Sequence, residues 1–149
     1  MKDKQHVIIS LEERHAINII SGIKQVELRR RIMRVEPGSI VWLYVKKPIG
    51  AVIGYAIVGT TYFAPPRMVW QKFGHVSGIS RAEYLNYFKG SAAASAMGVS
   101  RPKRLKRPIS LEELRAVAPS FQPPQFYCRL SVGSSMMNLL MPRIGRTNG

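Results

Sequence analysis

His6-Val-Ile-Ile-Ser10-Leu-Glu-Glu13-Arg-His-Ala16-Ile-Asn-Ile-Ile20-Ser-Gly22-Ile-Lys24-Gln-Val-Glu27-Leu-Arg29-Arg-Arg31 changes its hydrophobic spacing twice. Val7, Ile8 and Ile9 are consecutive and β-favouring, which predicts a short strand over His6 to Ser10. Ser10-Leu-Glu-Glu13 has the form of a capping box, in which the Ser hydroxyl accepts a free N–H of the first turn and the Glu reaches back to the Ser N–H. Leu11, Ala16, Ile17, Ile19 and Ile20 then turn inward on a helix that stops at Gly22, a residue able to take a left-handed cap without a Cβ clash. After Gly22 the spacing becomes two. From Lys24 to Ile32 a strand would place Gln25, Glu27, Arg29 and Arg31 on one face and Val26 and Leu28 on the other.

Further along, Glu36-Pro-Gly38 is a turn before a β-rich run from Ser39 to Val45, and Lys46 to Gly50 reads as a hairpin turn. A long apolar strand follows over Ala51 to Thr61, with Gly54 and Gly59 as expected bulges or close approaches. Arg67 to Phe73 reads as a short helix. Two more capping boxes, Ser80-Arg-Ala-Glu83 and Ser110-Leu-Glu-Glu113, open helices through Phe88 and Val117. Short strands fit Ala94 to Val99, Lys103 to Lys106 and Phe126 to Val132. Helices therefore punctuate mainly antiparallel strands instead of alternating with them as βαβ units. The expected class is α+β, a small β-barrel or curled sheet with short helices at its rim. Residues 1–130 are expected to form the domain and 131–149 a tail, partly helical or flexible. Ser91 to Gly98, made of Ser, Ala, Met and Gly, reads as a mobile loop or a poorly filled strand. The tail's Met136, Met137, Leu139, Leu140 and Met141 read as an amphipathic helix or as a docking strip for a protein partner.

A chain of 149 residues supports one core, and its formal charge of +15 repels itself unless a polyanion neutralises it. Nucleic acid is the expected polyanion. A membrane is not, because no apolar run approaches the ~18 residues of a spanning helix, and Met1-Lys2-Asp3-Lys4 does not open like a signal peptide, so the expected location is cytoplasmic. Cys128 is the only cysteine, and His6, His15 and His75 lack metal-ligand spacing, so neither a disulfide nor a metal or other cofactor is expected. Of the eight acids, Glu12, Glu13, Glu83, Glu112 and Glu113 fall in the capping boxes, where negative charge suits a helix start. Asp3 sits near the terminus and Glu36 in a turn. Glu27 alone lies within a strand, between arginines, as either a ligand-orienting group or a structural ion pair.

The stretch Ser10-Leu-Glu-Glu-Arg-His-Ala16 with Gly22-Ile-Lys24-Gln-Val-Glu27-Leu-Arg29 resembles the signature of the ASCH domain family, Gly-x-Lys-x-x-Glu-x-Arg. Pro37-Gly38 before Val41-Trp-Leu-Tyr44, Lys47-Pro48 before Gly50-Ala-Val-Ile-Gly54, Gly78 to Gly90, and Lys106-Arg-Pro108 with Pro123-Pro-Gln125 are similar to that family's later segments. The likeness runs from about Val7 to Leu130. It implies a PUA-like β-barrel with a cleft beside the first helix, in a family associated with RNA, some members of which process modified nucleosides or cleave RNA. The signature residues carry over onto Lys24, Glu27 and Arg29 as cleft residues. There Glu27 would accept from a base amino group while Arg29 and Lys24 meet a phosphate or carbonyl. One departure bears on activity. In the family's small amidohydrolases acting on N4-acetylcytidine, the third position after the signature lysine is a Thr, and here it is Glu27, so the hydroxyl is missing.

Arg101-Pro-Lys103-Arg104-Leu-Lys106-Arg107 places five cations within seven residues, and Arg30, Arg31, Arg34, Lys46 and Lys47 would extend the patch. Such residues grip a nucleic-acid backbone without reading its sequence. Tyr44, Tyr55, Tyr62, Phe63 and Trp70 are candidate stacking groups, and Trp42 is expected in the core. The expected function is RNA binding, with RNA favoured over DNA. An alternative is a hydrolase acting on RNA or an N-acylated nucleoside, with Lys24 as the catalytic candidate and Tyr44 or Lys47 assisting. A second alternative, a regulator bound to duplex DNA, rests on charge alone.

Overall fold

In the computed structural model, which describes residues 4–145, the apolar runs become strands buried on both faces. Strands β1 (His6–Leu11) and β3 (Ile40–Val45) pair in parallel at the middle of a sheet, with Ile8 opposite Trp42. Every residue of both strands is buried. This is why their sequences read as continuous apolar runs and not as alternation. Val7, Ile9, Leu11, Val41, Leu43 and Val45 face one core cluster, which contains Ala16 and Ile19 of helix α1 (Glu13–Ile20). Ile8, Ile40, Trp42 and Tyr44 face the other, beneath α4 (Leu111–Val117) and α5 (Ser135–Leu140).

Strands β2 (Val26–Arg29), β4 (Ala51–Ala64), β5 (Ala94–Ser110) and β6 (Cys128–Arg129) complete a six-stranded mixed sheet in the order β2-β5-β4-β3-β1-β6. The β4 and β5 strands are long and bend where their pairing register shifts three times, which curls the sheet into a half-barrel. Gly54 permits one of these bends, since a Cβ there would collide with the Lys103 carbonyl oxygen and lie 2.9 Å from Cδ1 of Ile20. A third cluster closes the far end, where α2 (Pro66–Phe73) and α3 (Arg81–Tyr87) bring Val69, Tyr84 and Phe88 onto Val26, Leu28, Ala94 and Ala96. The architecture is an α+β half-barrel with five short helices among the described residues. No helix of those residues is long and apolar enough to cross a membrane.

Several expectations are corrected. The first capping box does not form: β1 continues through Leu11, Lys46 N–H bonds the Leu11 carbonyl at 2.9 Å, and α1 starts from Glu12 with no side-chain cap. The ladder to β3 holds Ser10 extended, and its Oγ is buried without a hydrogen bond. The boxes at Ser80 and Ser110 form in full, each with its hydroxyl accepting from the third helical N–H at 3.1 Å. Ala94–Val99 and Lys103–Lys106 are parts of one strand, continuous through Arg101, whose φ of 49° marks an irregular residue. The Ala-rich stretch is buried, with Ala94, Ser95, Ala96 and Met97 fully so: Ala94 and Ala96 lie in one cluster with the Tyr84 and Phe88 rings, which occupy the volume that larger side chains would need there, and Met97 joins the cluster of Val7 and Ile19. Phe126 to Val132 contributes only the two-residue β6. In the tail, Met136, Met137 and Leu140 are buried, and Met136 and Leu140 complete the cluster around Trp42, so most of the supposed docking strip is core. Residues 146–149 of that tail lie outside the described residues.

Candidate nucleic-acid cleft

The end of β1, the start of α1, β2 and one side of α3 enclose a cleft of about 550 Å³. The residues of the signature stretch, Lys24, Glu27 and Arg29, all line it. Lys24 is 3% exposed, and its ammonium donates to the Ser77 carbonyl at 2.7 Å. Burial pushes its pKa below the ordinary lysine value, and nearby Glu27 opposes that shift. Glu27 is 4% exposed and gives one oxygen, Oε2, to Arg29, which donates from Nε at 2.9 Å and lies at 2.8 Å through its second terminal nitrogen. Oε1 makes no hydrogen bond among the described residues. Arg29 is further held by long contacts to the carbonyls of Ser10, Gln125 and Phe126. Glu27 is therefore ion-paired with Arg29, and it also lines the open cleft.

Four neighbours that sequence reasoning did not assign to the site complete the cleft. Arg14 of α1 is ion-paired with Glu83 of α3 across the mouth. That bond holds the Glu83 pKa down to about 2, so the carboxylate serves both its helix cap and the Arg14 pair. The two residues are 69 positions apart, and no local pattern joins them. His15 lines the cleft with its Nδ1 buried and without a hydrogen bond. Burial, together with the Lys24 and Arg14 charges, lowers its pKa and favours the neutral ring. Ser10 presents the second unpartnered buried atom to the same region. Among the described residues, no group of three His, Cys, Asp or Glu side chains is placed to hold a metal ion.

The remaining candidates divide. Arg30 and Lys46 reach the cleft, and Arg30 is fixed over the Tyr87 ring at 4.2 Å while donating to the Tyr87 carbonyl. Arg31 lies 4.6 Å over Phe126 and is not among the cleft residues, nor is Lys47, which stands exposed in the hairpin turn. Tyr44 points to the opposite face of the sheet, into the Trp42 cluster, so it cannot assist Lys24. Tyr55 is buried in that cluster as well, whereas Phe63 is 49% exposed. Lys103, Arg104, Lys106 and Arg107 line a second groove of about 490 Å³ together with Tyr55 and Arg143, and it shares no lining residue with the cleft. Arg101 is exposed at the bend of the same strand. None of these five strand cations forms an ion pair among the described residues.

No family model matches the chain. A protein of Zymomonas mobilis subsp. mobilis named ASCH domain-containing ribonuclease is 34% identical over 123 residues, 83% of this chain and 82% of that one. The crystal structure of ASCH from Zymomonas mobilis superposes with a TM-score of 0.86 at 31% identity, over 92% of this chain and 94% of the other. Human THYN1 protein, solved in complex with 5-methylcytosine containing DNA, shares the fold with a TM-score of 0.55 at 10% identity, over 91% of this chain and 95% of that one.

Proposed function

The chain belongs to the ASCH domain family, and from that premise we propose that it binds single-stranded RNA, seating one nucleotide over Lys24, Glu27 and Arg29. The observation that carries this reading is the combination on the cleft floor of an unfilled acceptor, Glu27 Oε1, with a guanidinium held rigid beside it. An acceptor fixed next to donors can read the edge of an unstacked base, and the cations Arg14, Arg30 and Lys46 around it suit the flanking phosphates. The groove along β5 would grip backbone without regard to sequence. Anisotropy of labelled RNA oligomers of differing base tests it: Glu27→Ala should change the order of base preference, and Arg104→Ala should weaken all oligomers alike. An unchanged order in Glu27→Ala defeats the cleft assignment, and equal affinity for matched DNA oligomers defeats the preference for RNA.

A second reading, cleavage of the bound RNA, is favoured by the ribonuclease named at 34% identity and by the two cleft bases that burial drives toward their neutral forms. A neutral Lys24 or His15 would take the proton of a 2′-hydroxyl as its oxygen attacks the adjacent phosphorus. The P–O5′ bond would break as the leaving 5′-oxygen takes a proton relayed through water from the protonated base, and Arg29 and Arg14 would meet the charge that builds on the phosphoryl oxygens. Lys24→Ala should then abolish cleavage while sparing affinity. Intact RNA after prolonged incubation with the wild-type chain removes this reading.

A further inference from the structure

Helix α3 is a wall with two working faces. Glu83, Asn86 and Tyr87 look into the cleft, while Arg81, Tyr84, Leu85 and Phe88, at the complementary helical spacing, look the other way into a separate pocket of about 580 Å³. That volume lies in the range of small-ligand sites. Across the pocket stands α2, which contributes Arg67, Trp70 and Gln71 on successive turns.

Trp70 is held in place from two sides. Its ring lies against Gly74 so closely that a Cβ there would come within 2.6 Å of the indole, and it tilts against the buried Tyr84 ring at a centroid distance of 4.8 Å. It is only partly buried, and its remaining surface lines the pocket. The charged groups of the lining are Arg67, Arg81 and Lys89, all exposed, none with a side-chain partner among the described residues, and no carboxylate is present. The acid on this helix, Glu83, is turned to the opposite face and occupied by Arg14. A fixed aromatic surface ringed by three uncompensated cations complements one chemistry in particular, a flat π-system carrying negative charge.

We propose that this pocket is a second nucleotide subsite, in which a base of single-stranded RNA stacks on Trp70 and its phosphates meet Arg67, Arg81 and Lys89. The proposal rests on the RNA reading of the cleft and extends it: one strand crosses α3, with one nucleotide on each side. A helix with its side chains is only about 10–12 Å across, a gap that a few nucleotides span. Gln71, beside the indole, supplies the donor and acceptor for a base edge. Linking two such subsites raises affinity with oligomer length until both are filled.

The chain's own tryptophans report the result. Of the two, Trp42 is fully buried and Trp70 lines the pocket, so a base stacking here quenches only the Trp70 emission. Full-length protein is titrated with a labelled single-stranded RNA decamer, and anisotropy and tryptophan emission are followed together. Binding should be accompanied by quenching that Trp70→Phe removes. Trp70→Leu should weaken binding roughly 5- to 100-fold, the equivalent of losing one base–aromatic stack. Because Trp70→Leu risks the packing on Tyr84, Arg67→Glu and Arg81→Glu on the exposed rim provide the independent arm, and each should weaken the decamer at least several-fold without moving the melting temperature. Binding by anisotropy with no quenching, or full affinity in both charge reversals, overturns the second subsite and leaves the cleft reading standing. No binding of any RNA overturns both.

Discussion

Removing the Glu27 carboxylate should destabilise the fold measurably, and by an amount that distinguishes a desolvated pair from a wet one. The Glu27 and Arg29 side chains are 6% and 13% exposed, and both bonds from Arg29 end on the same oxygen. Breaking a buried ion pair by deleting one partner costs about 3–5 kcal/mol, because the remaining charge is left without compensation. Here Arg29 keeps three carbonyl contacts at 3.3 to 3.4 Å and one side open to the cleft. Those remaining contacts place Glu27→Ala just below that range, at about 2–3 kcal/mol. For a chain of 149 residues that amounts to a fall in melting temperature of roughly 4–12 °C. Glu27→Gln retains an uncharged acceptor and should cost less, about 1 kcal/mol. Thermal and urea denaturation followed by far-UV circular dichroism give both numbers, and the Glu27→Ala/Arg29→Ala double-mutant cycle isolates the coupling. A Glu27→Ala protein within about 0.5 kcal/mol of wild type, the range of an ordinary surface change, would refute the rigid donor–acceptor floor on which base reading depends.

Ser110→Ala should lose about 1 kcal/mol through its cap, whereas Ser10→Ala, which removes a buried hydroxyl that caps nothing, should be neutral or stabilising; equal losses in urea melts would restore a capping role to Ser10. Burial lowers the pKa of both His6, whose Nδ1 accepts from the Trp42 indole at 3.0 Å, and His15. Between those lowered values and the unfolded value of 6.5 the unfolded chain binds more protons, so stability rises with pH there and declines as pH falls below it. His15→Gln should flatten part of that decline, and a melting temperature that does not fall from about pH 7.5 to 5 would contradict the assignment. Each β5 cation that meets a phosphate should contribute about 0.7 to the slope of log affinity against log salt, so Arg104→Ala should reduce the slope by that much without reordering bases. An unchanged slope would place the strand off the basic groove.

The order of elements was open to reading because each signal is local. Consecutive β-branched residues, the serine–glutamate boxes at Ser80 and Ser110, and the turn at Pro37-Gly38 fix backbone conformation within a few positions. The same locality explains the misreading at Ser10: the residues suit a cap, but pairing with β3 keeps them extended, and a ladder bond outweighs a surface hydroxyl contact. Small residues at Ala94–Ala96 read as weak packing because the rings that fill the space, Tyr84 and Phe88, come from another helix. In the cleft, the signature Lys24, Glu27 and Arg29 lie within six positions and were found from the sequence. Arg14, Glu83 and His15 were not, since their relation to the cleft depends on where α1 and α3 dock.

By itself, then, the sequence determined that the chain is basic and of the α+β class with most of its strands and helices in a given order, and that a single strand-borne acid stands among arginines. Those properties follow from charge and from hydrophobic period, which act along the chain. Only the tertiary structure decided that this acid keeps one oxygen free over an open cleft, that the cationic run forms a groove apart from it, and that α3 divides two pockets. The reason is that burial, ion pairing and helix docking are contacts between distant segments, and their outcome depends on which neighbours the curled sheet brings together.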